Sequence, residues 1–391
     1  MRDSTSGMTE RSQVLVLGAG PAGALAAIAA ARSGAETVLL EQELQPGGLG
    51  RSQFHRHVCG LFAGGKDEPG PLIHGPLVQE LLDRLRARSP SAEPQRMGKV
   101  WVWPLEFGLW ADVLDDWLRE TRGLRCFARQ RATAFLAAED AAGTVATTGQ
   151  AGDLAFCARV AVDASGHAAL AALAGWEREE PAERQLAGCT LRLAGVDASD
   201  ELLPFRVPDC LRRAADEGRL AAALRFAAFI RAGAASTLLR LNLPAETPPP
   251  LVAELARVAF DELRERCPAF HGASLLEMSR LEPRDGPRIR GRYRLTGEDV
   301  ASARRFDDAV ARGAWPCERW SRESGPSYIH PPAGACYEIP LRSLLSPRSE
   351  HVLFAGRALS ADDEAAAAVR VMGICMATGE AAGREAARRA S

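Results

Sequence analysis

Apolar and polar positions follow two rhythms along this chain, and its first forty residues show both. Val14–Leu17 is a short apolar run that passes into the turn Gly18-Ala19-Gly20-Pro21-Ala22-Gly23 and then into small residues from Ala24 to Arg32. A second apolar run, Thr37–Leu40, ends on Glu41. Four apolar residues in a row read as a strand covered on both faces, and a helix of small residues packs closely against such strands. A βαβ unit is therefore expected. Leucines at 77, 81, 82 and 85 recur at helical spacing over Pro76–Arg88. Trp110, Val113, Leu114, Trp117 and Leu118 do the same over Leu109–Glu120. Strand patterns follow at 100–104, 124–127, 131–137, 144–148 and 154–162, the last running into Asp163-Ala164-Ser165-Gly166-His167 ahead of a helix at 168–174.

From about residue 176 to 335 the pattern changes character. Strands are expected at 191–196 and 237–243, and helices at 211–231 and 253–266. Arg288–Leu295 alternates with period two, which places Arg288, Arg290, Arg292 and Arg294 on one face and Ile289, Tyr293 and Leu295 on the other. A solvated face over a packed one accounts for that row, and an anionic substrate or acidic protein partner is its functional alternative. Ile339–Leu345 reads as an approach to a site, His351–Arg357 as a strand ending in glycine, and roughly 365–389 as one helix.

The glycine turn has the chemistry of a dinucleotide site. Gly18 permits the tight turn, Gly20 admits a pyrophosphate to the backbone, and Gly23 lets the helix lie close to the sheet. The helix opening at Pro21 and Ala22 presents unpaired N–H groups to phosphate. Glu41 stands where a carboxylate accepts both hydroxyls of an adenosine ribose and repels a 2′-phosphate. Gly47 and Gly48, with the pair Gly64 and Gly65 further on, suggest backbone passing beside a ligand.

Composition narrows the partners. The 391 residues are 47% hydrophobic and 25% charged with a net charge of −2, so no electrostatic case for nucleic acid exists. The nine cysteines are scattered without a CxxC pair, which argues against a metal or dithiol site and suits a reducing compartment. Residues 1–12 lack the apolar core of a signal peptide and read as a loose tail. The apolar helices are too short or too often charged to cross a bilayer, so a cytoplasmic location is expected.

Several stretches resemble the FAD-dependent oxidoreductases of the glutathione-reductase-like flavoprotein superfamily. They are Val14–Glu41 with Gly47-Gly48, then Val162–Gly166, then Tyr293–Val300 with Arg305-Phe306 and Ala314–Pro316. Ile339–Leu344, Phe354–Arg357 and Val369–Met372 complete the set. The resemblance implies an α/β fold, with a Rossmann-like FAD-binding domain of discontinuous segments (13–100, 120–175, 336–391) and an inserted α+β substrate or cap domain (101–119, 176–335). It implies FAD held at Gly18, Gly20, Pro21, Ala22, Gly23, Glu41, Gly47, Gly48, Asp163, Gly166, Gly356, Arg357 and Val371. Two departures from the family pattern stand out: Asp363, in place of a histidine, adds negative charge near the expected cofactor, and His167 replaces a common acid.

Candidates for chemistry are His55 and His57, two apart in an extended stretch and either one a base near neutral pH. His330 and Tyr337 border a rigid proline loop and could orient substrate. Cys59 and Arg342 are candidate substrate contacts, Cys59 also as a thiolate beside flavin, and Arg357 could reach the pyrophosphate. The four tryptophans 101, 103, 110 and 117 read as packing. The expected activity is oxidation of an organic substrate, anionic or protein-bound, with electrons passing through flavin N5 and transient NAD(P)H or another carrier as partner. A flavin-dependent monooxygenase is the second reading, and a non-catalytic flavin-bearing assembly protein the third.

Overall fold

The computed structural model describes residues 9–63, 68–231 and 237–391. The sheet at its centre is built on β1 (Thr9–Leu17), which pairs in parallel with β2 (Thr37–Leu40) on one side and with Leu154–Asp163 on the other. The strand Leu124–Phe127 extends the sheet beyond β2, and Val352–Phe354 pairs in parallel with the last residues of Leu154–Asp163. The hairpin Gln130–Ala137 and Gly143–Gly149 joins the first half of that same strand antiparallel.

Alternation along β1 decides what each face meets. Val14 and Val16 point to the core that holds α1 (Pro21–Arg32), while Leu15 and Leu17 point to the opposite core with Phe156, Leu170 and Phe354. Burial on both faces is why these strands read as unbroken apolar runs. Ten of the twelve residues of α1 are buried, so the helix is apolar all round. A Cβ on Gly23 would collide with the Gly18 carbonyl, and one on Gly379 or Gly383 of the C-terminal helix (Met372–Ala390) would collide with the carbonyls of Ala22 and Ala26. Helix, sheet and second helix meet at backbone distance.

The inserted unit has its own four-stranded sheet, in the order Ala227–Arg231, Thr237–Leu243, Ala187–Ala194 and Ser274–Met278. Helices Leu203–Asp216 and Pro249–Arg266 cover one face, and their core residues run from Cys189 to Ala273.

Five expectations need correction. Thr9–Ser12 belong to β1, paired with Ala155–Ala158, because that edge continues the parallel register; residues 1–8 of the expected tail lie outside the described residues. Residues 101–119 belong with the nucleotide unit and not with the cap: Trp103, Trp110 and Trp117 pack in the core of α1, as do Leu295, Tyr337 and Ile339. The helix expected at 211–231 spans Leu203–Asp216, because Gly218 takes a positive φ of 76° and Ala227–Arg231 is drawn into the sheet. The arginine row is strand only at Arg288–Ile289, and Arg288 is buried while Arg290, Arg292 and Arg294 meet Glu177, Glu350 and Glu179 near the surface. The final helix is two helices, Asp363–Val369 and Met372–Ala390, bent by 92° at Arg370–Val371. Among the described residues no single helix is long and apolar enough to cross a membrane. The Gly64–Gly65 pair lies outside the described residues.

Candidate functional site

Because Leu17 is in register with both Leu40 and Asp163, the residues that follow these strands (Gly18, Glu41 and Ala164) emerge together at one carboxyl edge. Open α/β sheets bind ligands at such an edge. Here it floors a cleft of about 1050 Å³, at the upper end of small-molecule sites, roofed by the inserted sheet.

One wall is the nucleotide-type turn. Gly18, Gly20, Pro21 and Ala22 line the cleft, and no side chain caps the first turn of α1, which carries no acid. Its leading N–H groups and positive dipole end are left for an anion. Glu41 faces the same space, accepting the Ala19 N–H at 2.6 Å and the Glu43 N–H at 2.8 Å. Burial raises its carboxyl above the ordinary range, and these N–H groups oppose that rise. Gly48, at φ 51°, lies so close that a Cβ would stand 2.9 Å from the Gly20 Cα; any side chain there would pinch the passage. Trp110 holds the adjoining turn by donating its indole N–H to the Gly47 carbonyl at 3.1 Å.

Asp163 has a different position. It is fully buried, and its carboxylate accepts the Ser165 N–H and hydroxyl and the Leu170 N–H, at 3.0, 2.6 and 2.7 Å. It shapes the loop that brings Ser165, Gly166 and His167 to the cleft, while its own oxygens are consumed. Gly23 likewise acts beneath the turn. Gly356, Arg357 and Val371 line the cleft; the Arg357 guanidinium donates to the Pro283 carbonyl at 3.1 Å.

His55, His57 and Cys59 also reach the cleft. Burial, and then the guanidinium groups of Arg240, Arg284 and Arg370, push the His55 ring down to about 3. Burial and Arg56 lower His57 as well. At about 3 the His55 ring is neutral at pH 7. Burial pushes the Cys59 thiol up to about 12, which works against a thiolate there.

Three expected residues lie elsewhere. Tyr337 is fully buried and donates to the Trp315 carbonyl at 3.3 Å, held there by strand pairing with Ala309–Gly313. His330 stacks on Tyr328 outside the cleft lining. Arg342 pairs with Asp308 at 3.0 Å over the Tyr293 ring, half exposed and away from the cleft. The Ile339–Leu345 run is therefore a core strand and turn, not an approach to the site. Asp363 brings no free charge to the cleft either: it pairs with Arg288 at 2.6 Å and accepts the Ala182 N–H at 2.9 Å. Cleft residues missed from sequence are Arg240, Arg284 and Arg370; the available signal at Arg240 was a cation in the middle of the apolar run Thr237–Leu243.

A glycine turn, an acid closing the second strand and an inserted sheet over one cleft define a dinucleotide-binding fold of the flavoprotein type. The chain belongs to the FAD dependent oxidoreductase family, whose model matches residues 13–243 and 253–391. Among curated proteins none matches. The fold is similar to that of OxyS, an anhydrotetracycline hydroxylase from Streptomyces rimosus, at 15% identity and a TM-score of 0.50 over 89% of this chain and 56% of that one. It is also similar to a geranylgeranyl bacteriochlorophyll reductase-like protein from Thermoplasma acidophilum, at 13% identity and a TM-score of 0.51 over 97% and 78% of the two chains. This chain thus spans little more than half the length of the hydroxylase. The cofactor of the family is FAD, and the residues present fit it: an uncapped helix start, a carboxylate at the end of the second strand facing the cleft, and a glycine-lined passage between them and the inserted sheet.

Proposed function

We propose that this protein is an FAD-dependent enzyme that oxidises an organic substrate bound between the nucleotide unit and the inserted sheet. When bound, FAD supplies a two-electron acceptor at its N5 position. The single observation that carries this reading is the continuity of the cleft: Glu41 and the start of α1 share it with His55, Cys59 and Arg240. One ligand can therefore be anchored on the first set while a second molecule meets the other.

The chain's own residues divide the work. Glu41 orients a ribose, and the leading N–H groups of α1 neutralise a pyrophosphate. Val371 and the uncapped start of the C-terminal helix face the same space. His55 offers a neutral imidazole as hydrogen-bonding group, and burial by the roof excludes water. Gln53 donates to the Arg280 carbonyl at 2.8 Å and Phe54 packs on Leu238, so the loop from β2 and the inserted unit close the cleft together.

Anaerobic mixing of purified holoprotein with candidate donors, followed at the visible flavin band, tests the proposal. Bleaching by an alcohol, amine or related compound is the expected result. Bleaching by a nicotinamide nucleotide alone would point to the monooxygenase reading, and a colourless protein that cannot be loaded with FAD would overturn both.

A further inference from the structure

The inserted sheet turns its two faces to different surroundings. Leu239, Leu241 and Leu243 belong to the inserted unit's own core, so Leu238, Arg240 and Asn242 project toward the nucleotide unit. Leu238 meets Phe54, and the Asn242 side-chain oxygen accepts from Arg284 at 2.6 Å. Between them Arg240 enters the cleft. Its guanidinium makes no ion pair or hydrogen bond with any described residue, and its Nε is buried without a partner. Gly188 on the neighbouring strand makes room, since a Cβ there would collide with the guanidinium.

Two further guanidinium groups share this wall. Arg284, 7% exposed, donates to the Leu186 carbonyl and lies over the Trp320 ring at 4.4 Å. Arg370, at the bend between the last two helices, donates to the Glu318 backbone carbonyl at 3.0 Å and keeps a buried Nε without a partner. Neither forms an ion pair among the described residues. The carboxylate whose charge acts on all three is Glu318, whose oxygens accept the indole N–H groups of Trp320 and Trp315 at 2.8 and 3.3 Å. Of the acids on the inserted unit's side of the cleft, Glu277 pairs with Arg192 at 3.2 Å and Glu282 lies in the field of Arg357 and Arg280, while Glu41, Glu43, Glu106 and Asp112 line the side of the nucleotide unit. Three cations against one carboxylate leave an excess of positive charge in a half-enclosed space. Buried charge of that kind is costly unless a partner arrives.

We propose that Arg240, Arg284 and Arg370 bind the anionic head, carboxylate or phosphate, of the organic substrate. Guanidinium groups suit this task because their fork matches a planar or tetrahedral oxyanion at two points. The inference rests on the flavoenzyme reading above, yet the wall itself belongs to the inserted sheet and the helix bend, not to the turn that faces a pyrophosphate.

The test titrates purified holoprotein with benzoate, phenyl phosphate and the neutral benzamide, following both the flavin band and the melting temperature. At least one anion is expected to shift both signals while benzamide shifts neither, and the preferred anion tells carboxylate from phosphate. Arg240→Gln should weaken that anion about 30-fold or more and keep its flavin, with Arg240→Lys between the two. Benzamide binding as well as the anions would overturn the proposal. So would unchanged anion affinity in Arg240→Gln, or loss of flavin in that variant, which would give the arginine to the cofactor. Should the variants misfold, the comparison of anion with amide on the unaltered protein still decides. Colourless protein whose melting temperature answers to the anions alone would refute the flavoenzyme reading and keep the anion site. Flavin-loaded protein without discrimination would refute the anion site alone.

Discussion

Asp363, a departure in the sequence, and Arg288, the first of the arginine row, are one interaction in the fold. Arg288 is 2% exposed, and its Nη2 meets Asp363 at 2.6 Å while its Nε donates to the Ala361 carbonyl at 2.9 Å. The second Asp363 oxygen accepts the Ala182 N–H, so one carboxylate ties the stem of the inserted unit to the helix that follows Gly356. Asp363→Ala would strand a buried guanidinium on two backbone carbonyls and orphan the Ala182 N–H. Breaking a buried pair from one side costs about 3–5 kcal/mol, with the lost N–H acceptor falling within that range. Asp363→Asn keeps one acceptor, sets an amide NH2 against the other donor and removes the charge, for which about 2 kcal/mol is expected. Arg288→Met combined with Asp363→Ala should recover about 2 kcal/mol relative to the sum of the single changes, since no unpaired charge remains. Urea unfolding followed by tryptophan fluorescence, with midpoints compared at a common slope, measures each value. A loss below about 1 kcal/mol in Asp363→Ala, or strict additivity in the double variant, would refute the idea that the pair fastens these segments.

Other expectations concern the cleft. Glu41→Ala removes the acceptor of two backbone N–H groups and the proposed ribose contact, and should weaken FAD about 30-fold or more, read by titrating FAD into deflavinated protein; an unchanged affinity would move the adenosine elsewhere. His55 is held near 3 in the fold against 6.5 when unfolded, so the unfolded state binds the extra proton and stability falls as pH drops from 6.5 toward 3. Because the ring is only half-buried by the cleft, the loss at pH 5 is about 1–2 kcal/mol, and His55→Asn should show an acid limb shallower by that amount in urea midpoints. Parallel curves for the two proteins would dismiss the effect. Cys59, pushed up to about 12, should escape iodoacetamide at pH 8 in the native protein, as mass spectrometry of the peptide would show.

How much of this was legible depended on whether the cause was local. The strands of the βαβ unit, the glycine turn and Glu41 are determined by short-range rules, and the structure places all of them as those rules require. The helices Pro76–Arg88 and Leu109–Glu120 followed from their apolar stripes for the same reason. Misreadings arose where a distant partner decided the outcome. Period two at 288–295 suggested one arginine face, but Asp363, 75 residues on, draws Arg288 into the core. An apolar run of helical composition at 211–231 was split because its second half completes a sheet with Thr237–Leu243. Tyr337 sits beside motif residues in the chain and yet points into the core.

Arg240 shows the limit most clearly. Thr237–Leu243 reads correctly as a strand, and alternation alone separates Leu239, Leu241 and Leu243 from Arg240. What the pattern cannot supply is the identity of the other face, which could have been solvent. That face becomes a cleft wall only because Phe54 seats on Leu238, Gln53 reaches Arg280, and the bend at Arg370 brings another cation alongside. An exposed arginine there would be unremarkable; one half-buried with a buried, unpaired Nε, beside two more and a histidine kept neutral, is an unsatisfied charge that calls for a ligand of opposite sign. The chemistry of the site thus lies in how two units face each other, each of them readable alone and neither sufficient.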